Sequence, residues 1–277
     1  MSRSSASSPL EPSRARYDAL TRQAAVFASE AYQDPVPGTA KCGVFLSDPC
    51  TDAQCTLTFS DDDPDTPAIE SRTATVAFRG SSSRADWIGN TCFALSSLPS
   101  PHRSDVKAHG GFLRQYVSLH SHILKELEKR AEVRHVVLTG HSLGGALAVI
   151  AAAMLPPPYT CDIVTFGAPR PGNRQLRDAA FHKARSLVRV VHDRDIVPSM
   201  PLGVMGFRHA CDAWLALDED GFVERKDREM SLWSELWMRA CGMVFRDLGI
   251  GDHSMRNYLS GCGDDGDDGD ACGGANS

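Results

Sequence analysis

Residues 133–155 constrain this chain more than any other stretch. Residues 133–138 form a short apolar, β-branched run, and residues 143–155 an apolar, alanine-rich run stopped by Pro156-Pro157-Pro158. Between them lies Gly140-His141-Ser142-Leu143-Gly144. The first run reads as a strand buried on both faces and the second as a helix. A serine at such a junction sits on a sharp strand-to-helix turn, its backbone strained and its hydroxyl raised above the sheet edge. Side chains flanking that turn would collide, so the positions of Gly140 and Gly144 require glycine. Gly145, Ala146 and Ala148 let the helix lie close to the strands. The helix N-terminus adds unpaired N–H groups and the positive end of a dipole. Ser142 is the candidate nucleophile; an ordinary serine in a Gly-rich turn is the alternative.

The rest of the pattern extends this unit. Apolar positions in residues 13–32 recur at helical spacing, with Ser13 as N-cap. Strands are expected at residues 43–46, 56–59, 73–78, 161–166 and 187–191. Helices are expected at residues 112–130, 173–183 and 227–248, and a hairpin pairs residues 211–217 with 222–224. Strands alternating with helices argue a largely parallel sheet covered on both faces. No internal repeat or linker divides the chain. One domain is expected over residues 13–262, between a disordered tail at 1–12 and a Gly/Asp-rich tail at 263–277.

A nucleophilic serine needs an imidazole to take its proton and a carboxylate to fix the imidazole tautomer. Four histidines follow Ser142: His182, His192, His209 and His253. His253, in a turn with Gly249 and Gly251, is the best base. His182 falls in a surface helix, His192 precedes the acid, and His209 suits a hairpin or pocket wall. Asp195 begins Asp195-Ile196-Val197-Pro198 after a strand and is the preferred acid, with Asp193 as the alternative. Acyl transfer also needs donors for an oxyanion. Leu143 N–H supplies one, and Ser81, after the strand ending Phe78-Arg79-Gly80, supplies its N–H and hydroxyl. His109 and His141 read as structural, orienting the loop before the long helix and the elbow.

Composition removes other classes. Net charge is −6 over 277 residues, with no basic stripe for nucleic acid. No apolar run reaches the ~20 residues that span a bilayer. The N-terminal residues lack an apolar signal core, which favours a cytoplasmic protein, with organelle targeting a weaker option. None of the nine cysteines forms a C-x-x-C pair, so free thiols are expected and metal sites are not. Cys42 with Cys262, or Cys50 with Cys55, would bridge in an oxidising compartment. The Asp-rich tail lacks the spacing of a calcium loop.

The motifs together resemble the class 3, fungal-type lipases of the α/β-hydrolase superfamily. The resemblance is carried by Phe78-Arg79-Gly80-Ser81-Ser82-Ser83, Lys107-Ala108-His109-Gly110-Gly111-Phe112, residues 137–145, and Phe166-Gly167-Ala168-Pro169-Arg170-Pro171-Gly172-Asn173. Residues 193–198 and the Asp252-His253 turn with Tyr258 complete it. It implies an α/β-hydrolase fold with a central, mostly parallel sheet, helices on both faces and a short helical lid. It implies a triad of Ser142, Asp195 and His253, oxyanion donors Ser81 and Leu143, and no cofactor. The lid falls at residues 82–90, with Trp87 where family members often carry tryptophan. A short helix bearing Trp87 and Ile88 would cover the pocket in water and open at a transient lipid–water interface; permanent core is the alternative for Trp87. The expected substrates are lipid acyl esters (tri-, di- or monoacylglycerols). Phospholipase A1 or feruloyl-type esterase specificity stays open within the same chemistry, and a catalytically silent lipase-like interaction module stands outside it. The helix at 227–248 is a pocket wall or a membrane-contact helix. Unlike secreted fungal members, the chain is expected to carry no signal or pro-segment, and their disulfide pattern matches loosely, at Cys262.

Overall fold

The computed structural model describes residues 14–33, 43–60, 72–81, 94–99, 101, 104–192, 195, 197–218, 221–226, 254–255 and 258–259. The expected lid, Asp193, the helix at 227–248, His253 and both tails lie outside these residues.

The strands are β1 (Gly43–Asp48), β2 (Ala53–Phe59), β3 (Thr73–Phe78), β4 (Leu95–Ser97), β5 (Lys107–His109), β6 (His135–His141), β7 (Thr160–Phe166), β8 (Ala184–His192), β9 (Ala213–Asp218) and β10 (Gly221–Lys226). The helices are α1 (Arg14–Glu30), α2 (Gly110–Glu128), α3 (Leu143–Met154) and α4 (Arg174–Lys183). Eight strands form one sheet in the order β1-β2-β3-β6-β7-β8-β9-β10 among the described residues. The pairs from β3 through β9 are parallel, and the antiparallel β1-β2-β3 meander and β9-β10 hairpin close the two sides. The expected mostly parallel sheet is therefore present. The separate β4-β5 pair was not expected; three-residue strands carry too little pattern to read.

Strand β7 shows why both faces must be covered. Cys161 and Ile163 enter one apolar cluster with α2, α3 and α4. Val164 and Phe166 enter another with Ala24, Ala25 and Ala28 of α1. Alternate residues of a strand point to opposite faces, so a strand buried continuously from Cys161 to Phe166 needs cover on both. The buried stripe of α2 (Leu113, Tyr116, Leu119, Ile123 and Leu127) recurs every three or four residues. Helix α3 is buried nearly all round and fills the middle of its layer.

At the opposite end of the strands from Ser142, Asp162 is buried in a polar cluster. His135 Nε2 donates to Asp162 Oδ2 (2.9 Å) and Ser186 Oγ donates to Oδ1 (2.8 Å). Burial alone would push this carboxyl up. The hydrogen bond and charge of His135, with Ser186 and Arg185, hold it below its ordinary 3.8 instead. A depressed folded-state value contributes stability above the unfolded value and loses it as pH falls through the folded one. Asp162→Asn should therefore destabilise the protein by about 1–3 kcal/mol at neutral pH. In denaturant titrations, the gap to wild type should narrow only below about pH 4. A gap independent of pH down to 3 would contradict this assignment.

Candidate active site

Strand β6 delivers Gly140 between Phe78 of β3 and Thr165 of β7. The ladder runs one residue further, where Ser142 N donates to the Phe166 carbonyl (2.9 Å). Helix α3 begins at the next residue, so the chain reverses at Ser142. That serine is 4% exposed, with φ 57° and ψ −127°. A side chain held at positive φ costs of order 1–3 kcal/mol, and the surrounding contacts enforce it. A Cβ on Gly140 would come within 2.6 Å of the Gly144 carbonyl oxygen and 2.8 Å of that of Phe78. A Cβ on Gly144 would overlap the Phe78 carbonyl. Both glycines are thus required by close approach, as the motif implied. Leu143, the first residue of α3, has no intrahelical acceptor for its N–H, which is left at the elbow.

Ser81 follows β3 and is half-buried. The backbone leading to it is held to β2, where Arg79 N donates to the Gln54 carbonyl (3.0 Å) and Arg79 Nη1 to Gln54 Oε1 (2.6 Å).

Asp195 lies three residues beyond β8 and is 7% exposed. Its Oδ1 accepts from Val197 N (2.9 Å) and its Oδ2 from the Tyr258 hydroxyl (2.6 Å). The same hydroxyl accepts from His192 N (3.0 Å), so Tyr258 fastens the carboxylate to the strand end. The following segment is clamped through its carbonyls. Arg170 Nη1 donates to Ser199 O (2.5 Å) and Pro201 O (2.8 Å), and His209 Nε2 to Pro198 O (2.8 Å). Burial, then the charges of Arg189 and Arg170, holds His209 well below its ordinary value. It is neutral, and its one proton sits on Nε2, facing that carbonyl.

Residues 75–205 match the family model described as Lipase (class 3). Over this stretch, just under half of its length, the chain is similar to the class 3 lipases. It is 32% identical over 159 residues to a lipase of Rhizomucor miehei, covering 53% of this chain and 42% of that one. It is 33% identical over 153 residues to the secreted mono- and diacylglycerol lipase 1 of Fusarium solani, covering 52% and 45%. The crystal structure of a lipase from Rhizopus microsporus var. chinensis has TM-score 0.66 and 25% identity, with 87% of each chain covered. The chain spans about half the length of the curated relatives it matches. The fold shared with these lipases is the α/β-hydrolase fold.

In this chain, Ser142, Leu143, Ser81 and Asp195 all follow the C-terminal ends of β6, β3 and β8. His253 lies outside the described residues, as do Trp87 and Ile88. His182 is exposed on α4. His109 is structural: its Nδ1 accepts from Phe112 N (3.4 Å) and caps α2, and burial lowers it to about 4. Cys50, Cys55, Cys161 and Cys211 are free thiols. Sequence reasoning named Arg170 only as part of a motif and took His209 for a hairpin or pocket-wall residue. His209 holds the segment after Asp195 through the Pro198 carbonyl, and no local pattern signals a partner so far along the chain.

Tyr258→Phe tests the anchoring of Asp195. It removes one donor to a buried carboxylate and strands the His192 N–H, so stability should fall by about 1–3 kcal/mol. Chemical denaturation measures it; unchanged stability would mean that the hydroxyl is not needed to hold the acid.

Proposed function

We propose that this chain is a serine ester hydrolase that cleaves lipid acyl esters through a covalent acyl-enzyme. Ser142 is the nucleophile, His253 the general base, Asp195 its orienting acid, and Ser81 and Leu143 N–H the oxyanion donors. The observation that carries this reading is the buried serine at φ 57°, on the strand-to-helix turn. An ordinary helix-capping serine has no reason to occupy that conformation. Asp195 supports it: the acid stands two strands away at the same sheet edge, about 10 Å at the strand spacing. An imidazole hydrogen-bonded on both sides bridges such a gap.

In the reaction, Ser142 Oγ attacks the ester carbonyl as His253 takes its proton. The carbonyl oxygen becomes anionic and is met by Ser81 and Leu143. His253 returns the proton to the departing alcohol, and the acyl group stays on Ser142. Water, deprotonated by His253, then releases the fatty acid. The name of the Fusarium relative, a mono- and diacylglycerol lipase, supports acylglycerols as the substrate class.

A fluorophosphonate probe and an ester panel of tri-, di- and monoacylglycerols, phosphatidylcholine and short nitrophenyl esters test this reading. Wild type should label and hydrolyse; Ser142→Ala should not label and should lose roughly a thousandfold or more in rate. A folded wild type that neither labels nor hydrolyses would instead support a silent interaction module.

The reading extends to residues 82–90 as a lid bearing Trp87 and Ile88. Burying a tryptophan contributes roughly 2–3 kcal/mol, enough to bias a two-state lid. Trp87→Ala should lower hydrolysis of emulsified esters several-fold more than that of dissolved short-chain esters. Equal losses on both would count against the lid.

A further inference from the structure

We propose that Tyr32 is a positioning residue for acyl transfer, its hydroxyl bracing the oxyanion loop at Gly80-Ser81 against the elbow at His141-Ser142. This rests on the reading of Ser81 and Leu143 as oxyanion donors. Those donors sit on separate segments. Strands β3 and β6 are paired only as far as Phe78 and Gly140. Beyond that pair, the ladder no longer sets how far Ser81 stands from Leu143. Oxyanion donors must lie within about 2.7–3.1 Å of the developing charge, so the spacing needs another support.

Tyr32 stands at that place. It lies in the turn after α1, fixed by Tyr32 N donating to Ser29 O (3.0 Å) and Gln33 N to Glu30 O (2.9 Å). Helix α1 is pressed on the sheet through Ala24, Ala25 and Ala28, and Thr139 Oγ1 of β6 donates to its Ala24 carbonyl (3.3 Å). The Tyr32 hydroxyl shares a 2.9 Å hydrogen bond with His141 Nδ1. On its other side it lies against Gly80 so closely that a Cβ there would overlap it. One oxygen therefore touches the residue before Ser81 and the residue before Ser142. The contact reaches further, because the His141 ring also packs on Tyr258 (centroids 5.5 Å apart). Tyr258 in turn holds Asp195. Nucleophile, oxyanion loop and acid are thus linked through two tyrosines and a histidine that need not touch substrate.

Tyr32→Phe keeps the ring and removes the brace. On a dissolved short-chain ester we expect kcat to fall about tenfold with KM within about twofold, because only the transition state uses the donor spacing. A boronic acid that forms a tetrahedral adduct on Ser142 should lose affinity by the factor lost in kcat/KM. In a His141→Asn background the same substitution should change kcat by less than about twofold. Unchanged kcat and boronate affinity in an active enzyme would overturn the role of Tyr32 and leave the esterase reading standing. A Tyr32→Phe chain that fails to fold, or merely melts earlier at full kcat, makes the residue structural and also overturns it. A wild type without esterase activity refutes the underlying reading and this proposal with it.

Discussion

The contact between the Phe78 carbonyl and Gly144 sets the geometry on which the site depends. It brings the first turn of α3 against the end of β3, and the chain can make that approach only by reversing at Ser142 with positive φ. The strain is local and of order 1–3 kcal/mol. It is offset by the burial of α3, where Leu147 and Ile150 are fully enclosed between α2, α4 and the sheet. A packed core thus holds a backbone conformation that a free peptide would abandon. The same approach sets the helix N-terminus beside the Ser142 hydroxyl.

The proposed chemistry also requires that the segment bearing Asp195 does not move. The residues after β8 have little regular structure, so their order must come from elsewhere. It comes from donors aimed at main-chain carbonyls: Arg170 from the loop after β7 and neutral His209 from the segment before β9. Tyr258 fastens the carboxylate itself. Donors already in place cost no reorganisation when charge develops, which is the physical basis of preorganised catalysis.

The middle of the fold was legible because buried parallel strands are short, continuous and apolar, and because α3 is bounded by a glycine turn and three prolines. The elbow was legible for the same reason, since its glycines are demanded by backbone contact and leave a local signature. Boundaries were less so. The apolar run at 133–138 ends before Gly140 and His141, whereas β6 includes both, because ladder pairing tolerates glycine and histidine where periodicity does not. Tyr32, Arg170 and His209 escaped for a different reason. Tyr32 acts on a residue 109 positions away, and spacing along a chain carries no information about such pairs. The cluster at Asp162 was hidden likewise, because its partners His135 and Ser186 lie on other strands, 27 and 24 positions away.

The convergence of Ser142, Asp195 and the imidazole of His253 beside two donors is the claim from which the chemistry follows. A crystal structure of the chain with a phosphonate adduct on Ser142 tests it most directly. The adduct should carry its phosphoryl oxygen within about 2.7–3.1 Å of Ser81 N and Leu143 N. The His253 ring should lie within hydrogen-bond reach, about 3 Å, of the Ser142 oxygen, with Asp195 on its far nitrogen. An adduct whose oxygen faces solvent, or a His253 well outside that reach, would contradict it.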